Sequence, residues 1–230
     1  MSLATRSTAE EAMDAPDLPE ADYRAVLADL ATVNTVTMAR RPTLDFLARA
    51  VGTRKRFRLL DVGYGEGDML RAIARWAAKR GIVADLVGID LNPNSAAAAR
   101  AATPAGVTID YRTGDYADLA GGGFDIVASS LVAHHMTAPQ LRAFLRFMEA
   151  EAAAGWIVND LHRHAFAHAG YPLLATVMRW HPIVRADGRL SIARAFRPAE
   201  WHAILVDAGI GPAAKVVRRF PFRLCVERLR

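Results

Sequence analysis

Three glycines alternate at positions 63, 65 and 67, and an acid, Asp61, stands two residues before the first of them. Glycine lets a backbone reach positive φ, or lets a ligand approach with no Cβ in the way. The apolar run Phe57, Leu59, Leu60, Val62 precedes this loop, and Leu70, Ile73 and Ala74 follow it at spacings of three and four. Together they predict a strand, a glycine loop and a helix. Three explanations fit that unit. A dinucleotide site would rest a pyrophosphate on the helix N-terminus, but it wants Gly-x-Gly-x-x-Gly, whereas the spacing here is Gly-x-Gly-x-Gly. The acid at Asp61 suits a ligand with a cationic amino group, and a plain strand-to-helix turn is the third explanation.

A second chemical signal is histidine. Five of the seven histidines, His134, His135, His162, His164 and His168, fall between residues 134 and 168. Histidine has the pKa that a general base near neutral pH needs, although each of these residues can equally be structural or solvent-facing. His162 and His164 with Asp160 could ligate a metal, but alternating residues in a loop establish no geometry, and no metal is expected.

The elements that would position these residues alternate. Beyond the glycine loop, strands are predicted at 85–90, 107–112, 124–129 and 156–160, with helices at 95–102 and 139–150 between them. Alternation of this kind argues for a parallel sheet covered on both faces, with ligands outside the carboxyl ends of the strands. Polar residues gather at those ends: Asp61, Asp90, Asp115, Ser129 with Ser130, and Asn159 with Asp160. One such residue is an ordinary cap or turn, but five coincidences point to a site.

Elsewhere, residues 1 to about 18 are polar, alanine-rich and without a period, and are expected to be poorly ordered. Apolar Tyr23, Val26, Leu27, Leu30 and Val33 predict a helix, and Pro42 opens a second carrying Leu44, Phe46 and Leu47. The pair is either a lid over the ligand or plain packing on the sheet. Residues 161–198 hold no confident strand. Within them 166–180 is helix-like but broken at 170–172, and 185–197 is polar with a turn at Asp187 and Gly188. This stretch reads as an insertion covering the site. A helix at 198–208 and an antiparallel pair of strands, 213–219 and 222–228, close the chain.

Composition narrows the classes. A chain of 230 residues is long enough for one domain with a proper core, or one domain with appendages. No apolar run approaches a membrane span, and the acidic N-terminus (Glu10, Glu11, Asp14, Asp17, Glu20) lacks the apolar core of a signal peptide, so a cytoplasmic protein is expected. The single cysteine, Cys225, excludes an internal disulfide and reads as a buried structural thiol. The formal charge of +5 permits an acidic partner, but the arginines are scattered, so neither nucleic acid nor membrane is an expected partner.

With these pieces in place the sequence resembles the class I S-adenosylmethionine-dependent methyltransferases over roughly residues 57–228. Asp61-x-Gly63-x-Gly65-x-Gly67 is similar to the family's first motif, Val87-Gly88-Ile89-Asp90 to its second, Gly114-Asp115 to its third and Phe124-Asp125-Ile126-Val127 to its fourth, in the family's order. The resemblance implies an α/β, three-layer Rossmann-like fold with a seven-stranded, mostly parallel sheet whose last strand is antiparallel. An N-terminal helical lid would cover residues 1–50, and the methyltransferase domain residues 51–230. It implies S-adenosyl-L-methionine as cofactor. Asp90 would take the ribose hydroxyls and Leu91 the adenine face, with Asp115 and the Tyr116 backbone at the adenine amino group. Gly63, Gly65 and Gly67 would lie by the methionine portion, with Asp61 at its amino group. Tyr64 would line or shield the sulfonium pocket, and Ser129 would complete the cofactor site.

After the fourth strand stands neither Asn/Asp-Pro-Pro-Tyr nor Pro-Cys, the marks of base-methylating relatives. Leu131-Val132-Ala133-His134-His135-Met136 resembles instead the segment found in small-molecule enzymes of quinone and polyketide pathways. The expectation is methyl transfer to a hydroxyl of a small aromatic or polyketide-like acceptor, with His134, His135, His162 or His164 as base, in a monomer or homodimer. Carbon methylation is the runner-up. The rivals are a non-catalytic cofactor-binding protein and, less favoured, methylation of protein or RNA.

Overall fold

The computed structural model describes residues 3–15 and 17–230. Seven strands, β1 (Arg56–Val62), β2 (Val83–Asp90), β3 (Asp110–Thr113), β4 (Ile126–Ser130), β5 (Gly155–Leu161), β6 (Lys215–Arg219) and β7 (Arg223–Leu229), build one sheet in the order β3-β2-β1-β4-β5-β7-β6. The first five run parallel, and β7 is antiparallel to both β5 and β6. Register brings the strand ends level: Val62 pairs with Ile89 and with Ser129, and Ser129 pairs with Val158. Asp61, Asp90, Ser130 and Asp160 therefore emerge along one edge.

The strands are buried on both faces because successive side chains of a strand point to opposite sides. Leu60, Val127, Trp156 and Val158 pack on one side with α5 (Ala138–Glu151) and α8 (Pro198–Asp207), contributing Phe144, Leu145 and Trp201. Leu59, Ile126 and Ile157 pack on the other with α2 (Arg41–Val51) and α3 (Asp68–Ala78), contributing Phe46, Leu47 and Ile73. Cys225 lies in this second layer, where burial pushes its thiol up to about 12, so it is an inert core thiol. The remaining helices are α1 (Glu20–Val36), α4 (Ser95–Ala102), α6 (Ala165–Val177) and α7 (Pro182–Arg194).

Three expectations fail here. The segment expected to be poorly ordered packs down: Ser7 N donates to Ala193 O at 3.0 Å, Arg6 Nη2 to Met136 O at 3.0 Å, and Glu11 is buried. The polar stretch expected to turn at Asp187 and Gly188 is helical within α7. Tertiary contacts override its turn-like composition. Asp187 accepts from the backbone N–H groups of Ala12 and Met13 at 3.0 and 2.9 Å, and Gly188 sits under the Tyr171 ring with no room for a Cβ. The helix α6 likewise runs on through Pro172.

Of the two N-terminal helices, α1 faces the strand ends while α2 lies on the sheet. Asn159, read in the sequence as a site candidate, joins them. Its Nδ2 donates to Ala39 O at 2.7 Å and Thr43 Oγ1 at 3.0 Å, pinning the turn between the helices to β5.

Gly88 in β2 leaves space for the ring that the glycine loop carries. A Cβ there would stand 2.7 Å from both Leu70 Cδ1 and Tyr64 Cδ1. Gly88→Ala is expected to destabilise the protein by about 1–3 kcal/mol, the usual cost of overpacking. A urea midpoint that falls with m unchanged is the expected observation.

Candidate active site

A cavity of about 720 Å³ opens at the strand ends, bounded by the glycine loop, α1, the residues after β4 and the α6–α7 hairpin. One wall comes from β1 and β2. Asp61 is buried, and its Oδ1 has no partner. Burial, reinforced by the negative charges of Asp68 and Asp90, holds its carboxyl well above the usual range. Asp90 accepts Gly65 N at 2.9 Å on Oδ2 and Asn92 N at 2.9 Å on Oδ1, so the carboxylate organises the loop and keeps lone pairs toward the cavity. Burial raises it too, against those bonds.

The three glycines divide by cause. All have positive φ, but a Cβ at Gly63 would strike Val132 and one at Gly67 would strike Tyr111. Both positions are fixed by packing within the protein. At Gly65 the nearest atom to a Cβ is Leu27 Cδ2 on α1, at 3.7 Å. Gly65 is thus where backbone meets open cavity.

Of the residues expected at the cofactor, Asp61, Gly63, Tyr64, Gly65, Asp90, Leu91 and Tyr116 line the cavity. Gly67 and Ser129 do not: Gly67 lies against Tyr111, and buried Ser129 donates to Val62 O at 3.1 Å. Asp115 stands exposed between two lining residues, Gly114 and Tyr116, and caps a 3-10 turn by accepting Ala117 N at 2.9 Å. The Tyr64 ring is buried 5.0 Å from that of Tyr111, its hydroxyl without a partner.

The histidines separate into two groups. His134 and His135 line the cavity; His162 and His164 do not. His164 caps α6 by accepting Phe166 N at 3.2 Å, while His168 accepts Arg189 Nε at 3.2 Å. Asp160, considered with His162 and His164 as a metal ligand, is committed elsewhere. Its carboxylate accepts His134 N at 2.8 Å and Leu161 N at 2.7 Å, and its Oδ1 meets His134 Nδ1 at 2.7 Å. Burial would raise this carboxyl, but the charge of His134 and these hydrogen bonds hold it below the usual range.

With Nδ1 so occupied, His134 Nε2 looks toward Glu11 Oε1, 3.7 Å away. His135 repeats the pattern, with Nδ1 3.0 Å from Asp14 Oδ2 and Nε2 3.8 Å from Glu11 Oε2. The donor atoms of Glu11, His134 and His135 lie within 4.8 Å of one another, close enough for a cation. Arg194 Nε, however, is 3.8 Å from the same Glu11 oxygen and already supplies positive charge. The cluster is better suited to handling a proton. Burial raises the Glu11 carboxyl to about 7, with His135, the Ser191 hydroxyl and Arg194 opposing.

Sequence reasoning missed Glu11 and the partnership of Asp160 with His134. Glu11 sits in an aperiodic acidic stretch and carried no signal. Asp160 carried one, its place at a strand end.

A methyltransferase domain family matches residues 59–155. The chain is 32% identical over 160 residues to a ubiquinone biosynthesis O-methyltransferase of Cereibacter sphaeroides, covering 67% of this chain and 60% of that protein. It is 37% identical over 115 residues to one of Azorhizobium caulinodans, covering 49% and 40%. The chain thus spans about half the length of these relatives. Among solved structures, a plantazolicin methyltransferase in complex with a desmethyl substrate analogue and S-adenosylhomocysteine aligns over 91% of both chains, with TM-score 0.65 and 12% identity. The magnesium protoporphyrin IX methyltransferase of Synechocystis with bound S-adenosylhomocysteine aligns over 84% of this chain and 83% of its own, with TM-score 0.56 and 20% identity. These structures share the fold, and the sequence matches carry the likeness further: residues 59–155 match a methyltransferase domain, and fold and sequence together support a class I S-adenosylmethionine-dependent methyltransferase.

Proposed function

We propose that this protein transfers a methyl group from S-adenosylmethionine to the oxygen of a small, largely apolar acceptor within the 720 Å³ cavity. The observation that carries the proposal is Asp61. A buried carboxylate with an unpartnered oxygen on a cavity wall calls for a cationic group, and the amino group of the cofactor is one. Asp90 would take ribose hydroxyls on its remaining lone pairs. Leu91, 75% exposed, offers an uncovered apolar face to the adenine, with Asp115 and Tyr116 at the adenine edge. When bound, the cofactor supplies an electrophilic methyl group.

The chain's own part is positioning and proton removal. Asp160 holds the Nδ1–H of His134, which leaves Nε2 with its lone pair to accept a proton from an acceptor hydroxyl. His135 is the neighbouring alternative, its ring 4.2 Å from that of His134. The apolar walls, with Leu27, Leu30, Met136 and Leu174 among them, would hold the acceptor and exclude water. Oxygen as acceptor atom agrees with the names of the two curated relatives.

Three outcomes test this. Asp90→Ala should weaken S-adenosylhomocysteine binding at least tenfold by calorimetry, and unchanged affinity would remove the cofactor site. His134→Ala and Asp160→Asn should each lower kcat by about 10²–10⁴ and alter the pH profile of turnover, with His164→Ala close to wild type. A His134→Ala enzyme that keeps the wild-type profile would end the base assignment.

The third concerns Glu11, a carboxyl whose folded pKa of about 7 lies above its ordinary value of 4.5. Such a group favours the folded state fully below about 4.5, and that contribution is lost as pH rises through 7. His134, His135, Arg194, Asp14 and Ser191 surround it. Stability measured by denaturant should fall across this window in wild type and be flatter in Glu11→Gln. Equal slopes would refute the assignment.

A further inference from the structure

Among the described residues, three arginines are almost wholly withdrawn from solvent: Arg163 and Arg223 are 2% exposed and Arg194 is 8%. A buried charge is costly unless it is paired and hydrogen-bonded. Two of the three meet that condition. Arg163 Nη2 lies 2.5 Å from Glu200 Oε1, and its other nitrogens donate to the carbonyls of Leu3 and Ala195. Arg194 donates to the carbonyls of Ala9, His134 and His135 and lies 3.8 Å from Glu11.

Arg223 differs. Its one side-chain hydrogen bond among the described residues is a long one, 3.4 Å from Nη2 to Thr37 Oγ1, and its Nη1 has no partner. Two other arginines also carry an unpartnered nitrogen, but each has a carboxylate: Arg58 lies 3.2 Å from Asp85 and Arg219 2.8 Å from Glu227. The acids that Arg223 senses are spent on other groups, Asp160 on His134 and Asp68 on Arg40 and Asn34. Burial lowers its pKa, but a guanidinium stays charged in proteins. The residue stands at the cavity: Arg223 opens β7, pairs in register with Leu161 at the end of β5, and is among the residues of the wall.

We infer that Arg223 is an anion subsite whose free Nη1 receives a carboxylate of the methyl acceptor. The acceptor is then an organic acid that carries its hydroxyl on an apolar frame. A planar guanidinium matches a carboxylate by geometry as well as charge. The acceptor, rather than the cofactor, is the favoured source because of strand order. From β2, which carries Asp90, to β7 is four strand steps. At about 4.8 Å each they span roughly 19 Å. From β1, which carries Asp61, the distance is three steps, roughly 14 Å. The cofactor's amino and carboxylate groups share one carbon, so a head held at Asp61 lies far from the backbone of Arg223. Assigning the carboxylate to the acceptor rests on the methyl-transfer proposal above; the subsite itself does not.

The test uses the full chain, its Arg223→Met and Arg223→Lys variants, and three probes: salicylate, S-adenosylhomocysteine and decarboxylated S-adenosylhomocysteine. Without ligand, Arg223→Met should unfold at a temperature no lower than wild type, since the unpaired charge is gone. Millimolar salicylate should raise the melting temperature of wild type, raise that of Arg223→Lys less, and leave Arg223→Met unmoved. Affinity for S-adenosylhomocysteine should agree within twofold between wild type and Arg223→Met. If Arg223→Met instead loses tenfold for S-adenosylhomocysteine but not for the decarboxylated analogue, the carboxylate is the cofactor's and the acceptor assignment is overturned. If neither salicylate nor S-adenosylhomocysteine distinguishes the variants, or if Arg223→Met melts lower than wild type with the salicylate shift intact, the subsite is overturned. Should wild type fail to bind S-adenosylhomocysteine at all, the methyl-transfer proposal falls, while salicylate still reports on Arg223.

Discussion

The carboxylate of Asp160 is the fixed point of the active-site half of the molecule. It is fully buried at the end of a central strand, and three hydrogen bonds from His134 and the Leu161 backbone satisfy it. Those bonds set the path of the chain after β4. The path in turn presents the carbonyls of His134, His135 and Met136 outward, where Arg6 and Arg194 take them. The N-terminal segment and α7 are therefore held to the sheet through one buried pair. Removing either partner would leave a charged or polar group uncompensated in a dry site, which is more damaging than losing an exposed ion pair.

This arrangement explains what the sequence disclosed and what it hid. Parallel strands buried on both faces read as apolar runs, and their ends are marked by the first polar residue, so β1, β2, β4 and β5 and the acids that follow them were legible. The seven-stranded sheet with its antiparallel closing pair followed from the same signals. The α6–α7 hairpin was not legible in full. Its Asp187 and Gly188 are turn formers by composition, yet one receives the N-terminal segment and the other makes room for Tyr171. The order of residues 3–15 was hidden for the same reason, since it comes from contacts far along the chain rather than from any period.

The candidate site was legible unevenly. The positions expected to hold the cofactor lie on the most regular part of the fold, and most of them line the cavity. The glycines carry a second constraint that spacing does not show, because Gly63 and Gly67 also leave room for Val132 and Tyr111. Histidine clustering in sequence did not survive folding: two of the five candidates reach the cavity, and His164 and His168 are held in local contacts instead. Arg223 did leave a trace, a charge at the head of β7 directly before the apolar run Leu224, Cys225, Val226. A charge that begins a buried strand is either paired or waiting for a partner, and only the folded structure distinguishes the two.

Residues that line the cavity carry polar atoms that the chain itself leaves without partners: Asn34 Oδ1, Asp61 Oδ1, the Tyr64 hydroxyl and Arg223 Nη1. An unmade buried hydrogen bond costs about 1–3 kcal/mol, and more where the group is charged. A fold optimised for stability alone would fill these positions with apolar side chains. Their persistence in a cavity walled by leucine and methionine has a physical consequence for selectivity. Low-dielectric walls strengthen whatever electrostatic contact a ligand makes. A ligand that lacks the complementary group leaves the penalty in place, so such a site rejects close analogues more sharply than an apolar pocket does. The acidic wall, Asp61 and Asp90, stands on β1 and β2 and the guanidinium of Arg223 on β7, with the His134–Asp160 pair between them. On the proposals above, that order of groups across one sheet edge would orient two ligands toward each other, each drawn to the wall that answers its own charge.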